Sequence, residues 1–102
     1  MHLVRMLLPL YDNDGQRLPV QLLDQVFDEL AQKFGGVTAY QRSPADGAWK
    51  PRGDHGVHDD VVLFEVMVTA LEREWWASYR HTLEQRFRQD KLLLLALAVE
   101  AL

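Results

Sequence analysis

The residues best suited to chemistry lie in one short stretch, Asp54-His55-Gly56-Val57-His58-Asp59-Asp60. His55 and His58 are imidazoles three positions apart with carboxylates beside them, and these are donor types that divalent metals bind. In an extended hairpin, residues three apart point to opposite faces, so the two histidines converge only if Gly56 makes a tight turn. The simpler interpretation is a solvated hairpin tip, with a metal site at His55 and His58 as the alternative.

A second candidate site combines residues from three predicted strands: Arg5, Tyr40, Arg42 and Glu65. Arg5 and Glu65 each interrupt an apolar strand, and on neighbouring strands their side chains would pair. The simpler interpretation is an ion pair inside a face-to-face dimer interface. The alternative is a ligand-binding site anchored by this pair, with Tyr40 and Arg42 beside it.

Other catalytic and binding templates do not fit the sequence. The run Asp12-Asn13-Asp14-Gly15 suggests a calcium loop, but Leu10 and Gln21 would then occupy the first and twelfth positions, where acidic ligands are required. Neither Ser43 nor Ser78 lies in a nucleophile elbow, and no glycine-rich phosphate-binding motif is present. The sequence therefore predicts no cofactor and leaves open whether the protein is an enzyme.

Composition narrows the class of protein. The chain has 102 residues, of which 48% are hydrophobic and 25% charged, and it has no cysteine. Disulfide scaffolds, thiolate zinc sites and cysteine nucleophiles are excluded, and the net charge of -4 argues against general nucleic-acid binding. No segment has the features of an export signal or the length of a membrane span. These observations predict a single cytoplasmic domain over residues 1–102.

Hydrophobic periodicity predicts the elements that must position these residues. His2–Leu10 alternates as a strand does, and apolar residues recur at helical spacing from Pro19 to Phe34, before Gly35-Gly36. The other predicted elements are a strand over Val37–Arg42, a strand over Val61–Val68, a helix from a Thr69–Glu72 capping box to Gln89-Asp90, and a last strand within Leu92–Leu102. We expect that last strand to be buried on both faces, like a central strand.

This order of elements resembles the ferredoxin-like α+β sandwich. The resemblance implies a βαββαβ chain, a four-stranded antiparallel sheet in the order 4-1-3-2, and two helices on one face. Three segments are also similar to small bacterial proteins of this layout, which bring no known activity: Phe34-Gly35-Gly36-Val37-Thr38, Gly47-Ala48-Trp49 and Phe87-Arg88-Gln89-Asp90. Since this fold serves many activities, the function must be argued from a site.

The sheet face opposite the helices is the feature from which function is predicted. Three strands carry more apolar residues than one layer of two helices covers, and large exposed apolar patches mark partner surfaces. We expect a homodimer that forms through this face, with no nucleic-acid or membrane partner and no demonstrable catalysis. The alternative is a small enzyme or ligand-binding protein of the dimeric α/β-barrel kind, which holds a small molecule near Arg5 and Glu65.

Overall fold

A computed structural model of the chain describes residues 1–42 and 61–102, and it describes side chains for these residues other than 39–42. Within these ranges, strands and helices alternate in an α+β arrangement. Their bounds are β1 His2–Pro9, α1 Gln21–Phe34, β2 Thr38–Arg42, β3 Val61–Val68, α2 Arg73–Arg86 and β4 Leu94–Ala98. Neither of these helices is long and apolar enough to cross a membrane.

The sheet is antiparallel and is built around β1 and β3. These two strands pair along their full length, from His2 opposite Val68 to Pro9 opposite Val61. β2 pairs with the outer side of β3 and β4 with the outer side of β1, so the strands lie in the order β2-β3-β1-β4. The alternation predicted for the first and third strands is therefore confirmed, because alternate residues of each face the helices.

The core lies between the sheet and both helices. Val4, Met6 and Leu8 of β1 are at most 2% exposed, and they pack in one cluster with residues of β3, α1 and α2. The predicted inner stripe of the second helix is confirmed. Its members are Trp76, Tyr79, Leu83 and, just beyond the helix, Phe87. Burial of these side chains is the main term that stabilises so small a domain.

The first helix ends where its sequence predicts. Gly35 has a left-handed backbone with φ of 81°, and its N–H donates to the carbonyl of Ala31 at 2.8 Å. Glycine adopts this conformation without the penalty that a Cβ atom brings, so it ends the helix at little cost. The chain then turns directly into β2.

The second helix differs from its prediction at both ends. The Thr69–Glu72 capping box is wrong: Glu72 itself precedes the first helical residue and makes no side-chain capping hydrogen bond. Its carboxylate instead lies 3.4 Å from Nζ of Lys33, which explains why it is not turned back onto the helix. The helix stops at Arg86 and not at Gln89-Asp90, because Arg88 has a positive φ of 54°.

The last strand corrects the predicted ferredoxin-like sandwich. A strand buried on both faces was expected, but β4 is five residues long, lies at the edge of the sheet, and has four exposed residues. Within the described chain, only Leu94 of this strand packs against the core, because Ala96 and Ala98 are too short to reach it. The fold is therefore better described as α+β, with β2, β3 and β1 as the body of the sheet and β4 as a short addition at its edge.

Candidate functional site

The candidate site is the sheet face turned away from the helices, which we call the outer face. Residues directly opposite one another on paired strands share a face, so the register assigns its members. On β1, β3 and β4 they form three rows: Leu97, Leu3 and Met67; Leu95, Arg5 and Glu65; and Leu7 with Leu63. On β2, Thr38 lies opposite Glu65 and Tyr40 lies opposite Leu63, so these two residues belong to the same face. Apart from one charged pair, these rows are entirely apolar.

Arg5 and Glu65 make a direct contact at the centre of the outer face. Nη2 and Nε of Arg5 lie 2.7 and 2.9 Å from Oε2 of Glu65, and Nε donates a hydrogen bond. The predicted pairing across neighbouring strands is thus confirmed. The Glu65 side chain is 16% exposed and that of Arg5 is 37% exposed, so the guanidinium group still faces solvent. Among the described side chains Glu65 is its one acceptor, and a guanidinium group has further N–H groups with which to bind a second one.

The apolar residues around this pair differ in their exposure to solvent. Met67 is 50% exposed, and Leu95 and Leu97 of β4 are 40% and 37% exposed. Leu63 is only 7% exposed, yet it does not belong to the core cluster, which agrees with its place on the opposite side of the sheet. The most exposed apolar side chains therefore lie toward β4 and the end of β3.

The other predicted site residues have different outcomes. Tyr40 and Arg42 lie in β2, opposite Leu63 and Val61 respectively, so their strand adjoins the one that carries Glu65. Their part in a ligand site stays a prediction. His55 and His58 lie outside the described residues, and so does the metal site predicted there. Within the described residues, no group of three or more metal-binding side chains is found.

A polar network between the two helices was not predicted. The carboxylate of Glu29 on α1 accepts a hydrogen bond from the Tyr79 hydroxyl at 2.8 Å and two from Arg86 at 2.7 and 3.0 Å. The hydrogen bonds from Arg86 lower the pKa of Glu29 below its usual range, against the effect of burial. Burial and the hydrogen bond to Glu29 raise the pKa of Tyr79.

This network joins α1 to α2 on the helix side of the molecule. Its carboxylate and guanidinium satisfy each other, which is the arrangement of a structural contact. Nothing in the local sequence marks it, because more than 50 residues separate Glu29 from Arg86. Helical spacing correctly places Tyr79 on the inner stripe, but it cannot show which acceptor its hydroxyl finds.

Two cavities lie away from the Arg5–Glu65 pair. One is between α2 and β4, and the other is near the end of α1, where Lys33 and Glu72 line it. Neither Arg5 nor Glu65 lines either of them. In the part of the chain that the structure describes, the outer face is thus largely apolar with one ion pair, which suits contact with another surface.

Comparison with known proteins finds no matching family, no similar curated protein and no similar solved structure. The resemblance to small bacterial proteins stays a prediction.

Proposed function

We propose that this chain is a self-associating protein whose outer face binds a second copy of itself. The observation that carries this proposal is the composition of that face: on β1, β3 and β4, six apolar residues surround a single ion pair. An apolar sheet face left in water costs free energy, and covering it recovers about 25 cal/mol for each Å² of apolar surface. A symmetric partner is the commonest way for such a face to be covered.

Charge placement favours a second copy over an unrelated partner. In a two-fold dimer the same patch meets itself, so every residue on it must be compatible with the patch. An isolated charge at the centre would meet its own copy and repel it. Here Arg5 and Glu65 lie side by side at 2.7 Å, so Arg5 of one copy can face Glu65 of the other without leaving an unpaired charge.

The size of the outer face sets the expected affinity. Two central strands of eight residues and four strands in all give a planar footprint of about 500 Å² per copy. Stable interfaces bury about 800 Å² per partner, so this one is small. We therefore expect a dimer with a dissociation constant on the order of 10 micromolar and not a permanent one.

Sedimentation velocity between about 1 and about 100 micromolar protein tests the proposal. We expect the weight-average mass to rise from monomer toward dimer over this range. Leu95→Lys introduces a charge on the outer face at a residue that is 40% exposed. Phe27→Lys is the matched control, because Phe27 is 41% exposed and lies on α1, on the other side of the molecule.

Leu95→Lys should abolish association, whereas Phe27→Lys should leave it unchanged. A chain that stays monomeric at the highest concentration would overturn the proposal. So would equal weakening by the two variants, since that would place the contact elsewhere. Urea denaturation at the lowest concentration checks that both variants are folded.

The alternative function, a ligand site around Arg5 and Glu65, has less support. The two charges bind each other, and neither of the two cavities is lined by them. Within the proposal, the compartment is the cytoplasm, as the sequence predicts. No nucleic acid, membrane or cofactor is required for association through the outer face.

A further inference from the structure

A cavity on the helix side of the sheet has features of a small-molecule site. It has a volume of about 240 Å³ and lies between α2 and the edge strand β4. On the sheet side Val4 of β1 and residues 94–96 of β4 line it, and Ala77 lies on the helix side. Two of its lining residues, Ala77 on the helix and Ala96 on the strand, have side chains too small to fill the space.

Two arginines give this apolar cavity a positive charge. Arg73 and Arg80 both line it, and they are two helical turns apart on α2, with Ala77 between them. Arg73 makes no ion pair within the described part of the chain. Arg80 reaches Glu84 only at 3.9 Å, and that same oxygen of Glu84 accepts the N–H of Leu92 at 3.0 Å. Both guanidinium groups can therefore bind an added anion.

Trp76 supplies a separate observation. Its side chain lines the cavity and the residue is 7% exposed, and its indole N–H finds no acceptor among the residues that the structure describes. A buried donor without an acceptor is unfavourable by about 1–3 kcal/mol. Such donors are rare in native proteins, and a bound small molecule or an ordered water is one source of the acceptor.

We infer that this cavity binds a small carboxylate with an apolar body. The apolar part would lie against Val4 and Leu94, and the carboxylate would accept hydrogen bonds from Arg73 or Arg80. The volume is below the range of about 300–1,000 Å³ typical of drug-sized ligands, so the ligand is small. This inference does not rest on association through the outer face, although Leu95 both lines the cavity and belongs to that face.

Octanoate is a suitable probe, and octanol is its uncharged match. Binding is measured by calorimetry and by tryptophan fluorescence, since Trp76 lines the cavity. Ala77→Leu fills the space from an exposed helix position, and the double variant Arg73→Gln/Arg80→Gln removes the charge while keeping hydrogen-bonding side chains. Arg17→Gln is the control, because Arg17 lies against Tyr11, away from this cavity.

We expect saturable octanoate binding that Ala77→Leu abolishes, that the double variant weakens about tenfold, and that Arg17→Gln leaves unchanged. No saturable binding up to about 10 millimolar octanoate would overturn the inference. Equal affinity for octanol, or unchanged affinity in either cavity variant, would also overturn it. Urea midpoints close to that of the unmodified protein show that the variants are folded.

Discussion

The two faces of the sheet use the same strands and are covered in opposite ways. On β1, Met6 and Leu8 are fully buried beneath the helices, whereas their neighbours Leu3 and Leu7 on the outer face are half-buried. Both sets of side chains are apolar, so hydrophobicity alone does not explain the difference. What differs is the presence of a second layer: the two helices cover one face, and no other helix or strand of the described residues lies over the opposite one. An apolar face without a layer is the physical basis of the proposed self-association.

The strongest test of this comparison changes adjacent leucines on β1. Leu8→Ala empties a fully buried position in the core and should lower the free energy of unfolding by about 3 kcal/mol. Leu7→Ala should lower it by about 1 kcal/mol in dilute protein, since Leu7 faces away from the core. Urea denaturation at about 1 micromolar measures both. Equal losses would mean that the outer face is as well packed as the core.

The second test concerns the polar contact between the helices. Glu29→Gln weakens the hydrogen bonds to Tyr79 and Arg86, and it should lower the free energy of unfolding by about 1.5 kcal/mol at neutral pH, since the Glu29 side chain is 37% exposed.

The effect of Glu29 should depend on pH in a defined direction. Its pKa is lowered in the folded state, mainly by Arg86, so its stabilisation is complete above the unfolded value of about 4.3. That stabilisation is lost as the pH falls through the folded pKa. The difference between Glu29→Gln and the unmodified protein should therefore shrink below about pH 4 in urea titrations. A difference that stays constant between neutral and acidic pH would contradict the assignment.

The third test changes the ion pair of the outer face. Glu65→Gln should lower the free energy of unfolding of the monomer by no more than about 0.5 kcal/mol, because the guanidinium of Arg5 is open to solvent. Its effect on sedimentation should be larger, since the interface would then hold two unpaired arginines. If Glu65→Gln lowers the free energy of unfolding of the monomer as much as Glu29→Gln does, the two sides of the sheet do not differ in the way proposed.

The smallest expected effect comes from a residue on neither face. Arg88 has a left-handed backbone with φ of 54°, and glycine relieves a strain of about 1–2 kcal/mol there. Part of that gain is offset by the greater freedom of glycine in the unfolded chain and by loss of the Asp12 contact at 3.8 Å. Arg88→Gly should therefore raise the free energy of unfolding by about 0.5 kcal/mol in urea denaturation, with association unchanged. A loss of stability would show that the contact with Asp12 outweighs the strain.

Sequence patterns predicted those features that depend on near neighbours. Alternation identified β1 and β3, and the glycine at position 35 marked the end of α1, because local geometry requires that residue type there. The Thr69–Glu72 capping box failed because the helix begins only at Arg73, so Glu72 precedes it, and the Glu72 carboxylate lies near Lys33, which is distant in sequence. The prediction that the last strand is buried on both faces was wrong for a related reason. A run of leucine and alanine does not show which other elements pack against it.

The candidate sites also include one that local sequence predicts and one that only the fold reveals. Arg5 and Glu65 were identified because each is a charge inside an apolar strand, and strand pairing brought them together at 2.7 Å. The cavity beside α2 could not be identified, because it results from small residues on two separate elements.

By itself, the sequence determined the order of the elements, the apolar alternation of the two central strands, and the absence of cysteine chemistry. These follow from local periodicity and from residue type. The tertiary structure alone decided that β4 is short and mostly exposed, that Glu29 joins the two helices, and that a charged cavity opens beside Trp76. Each of these depends on contacts between residues that are distant in sequence. Those contacts form only when the apolar faces pack together.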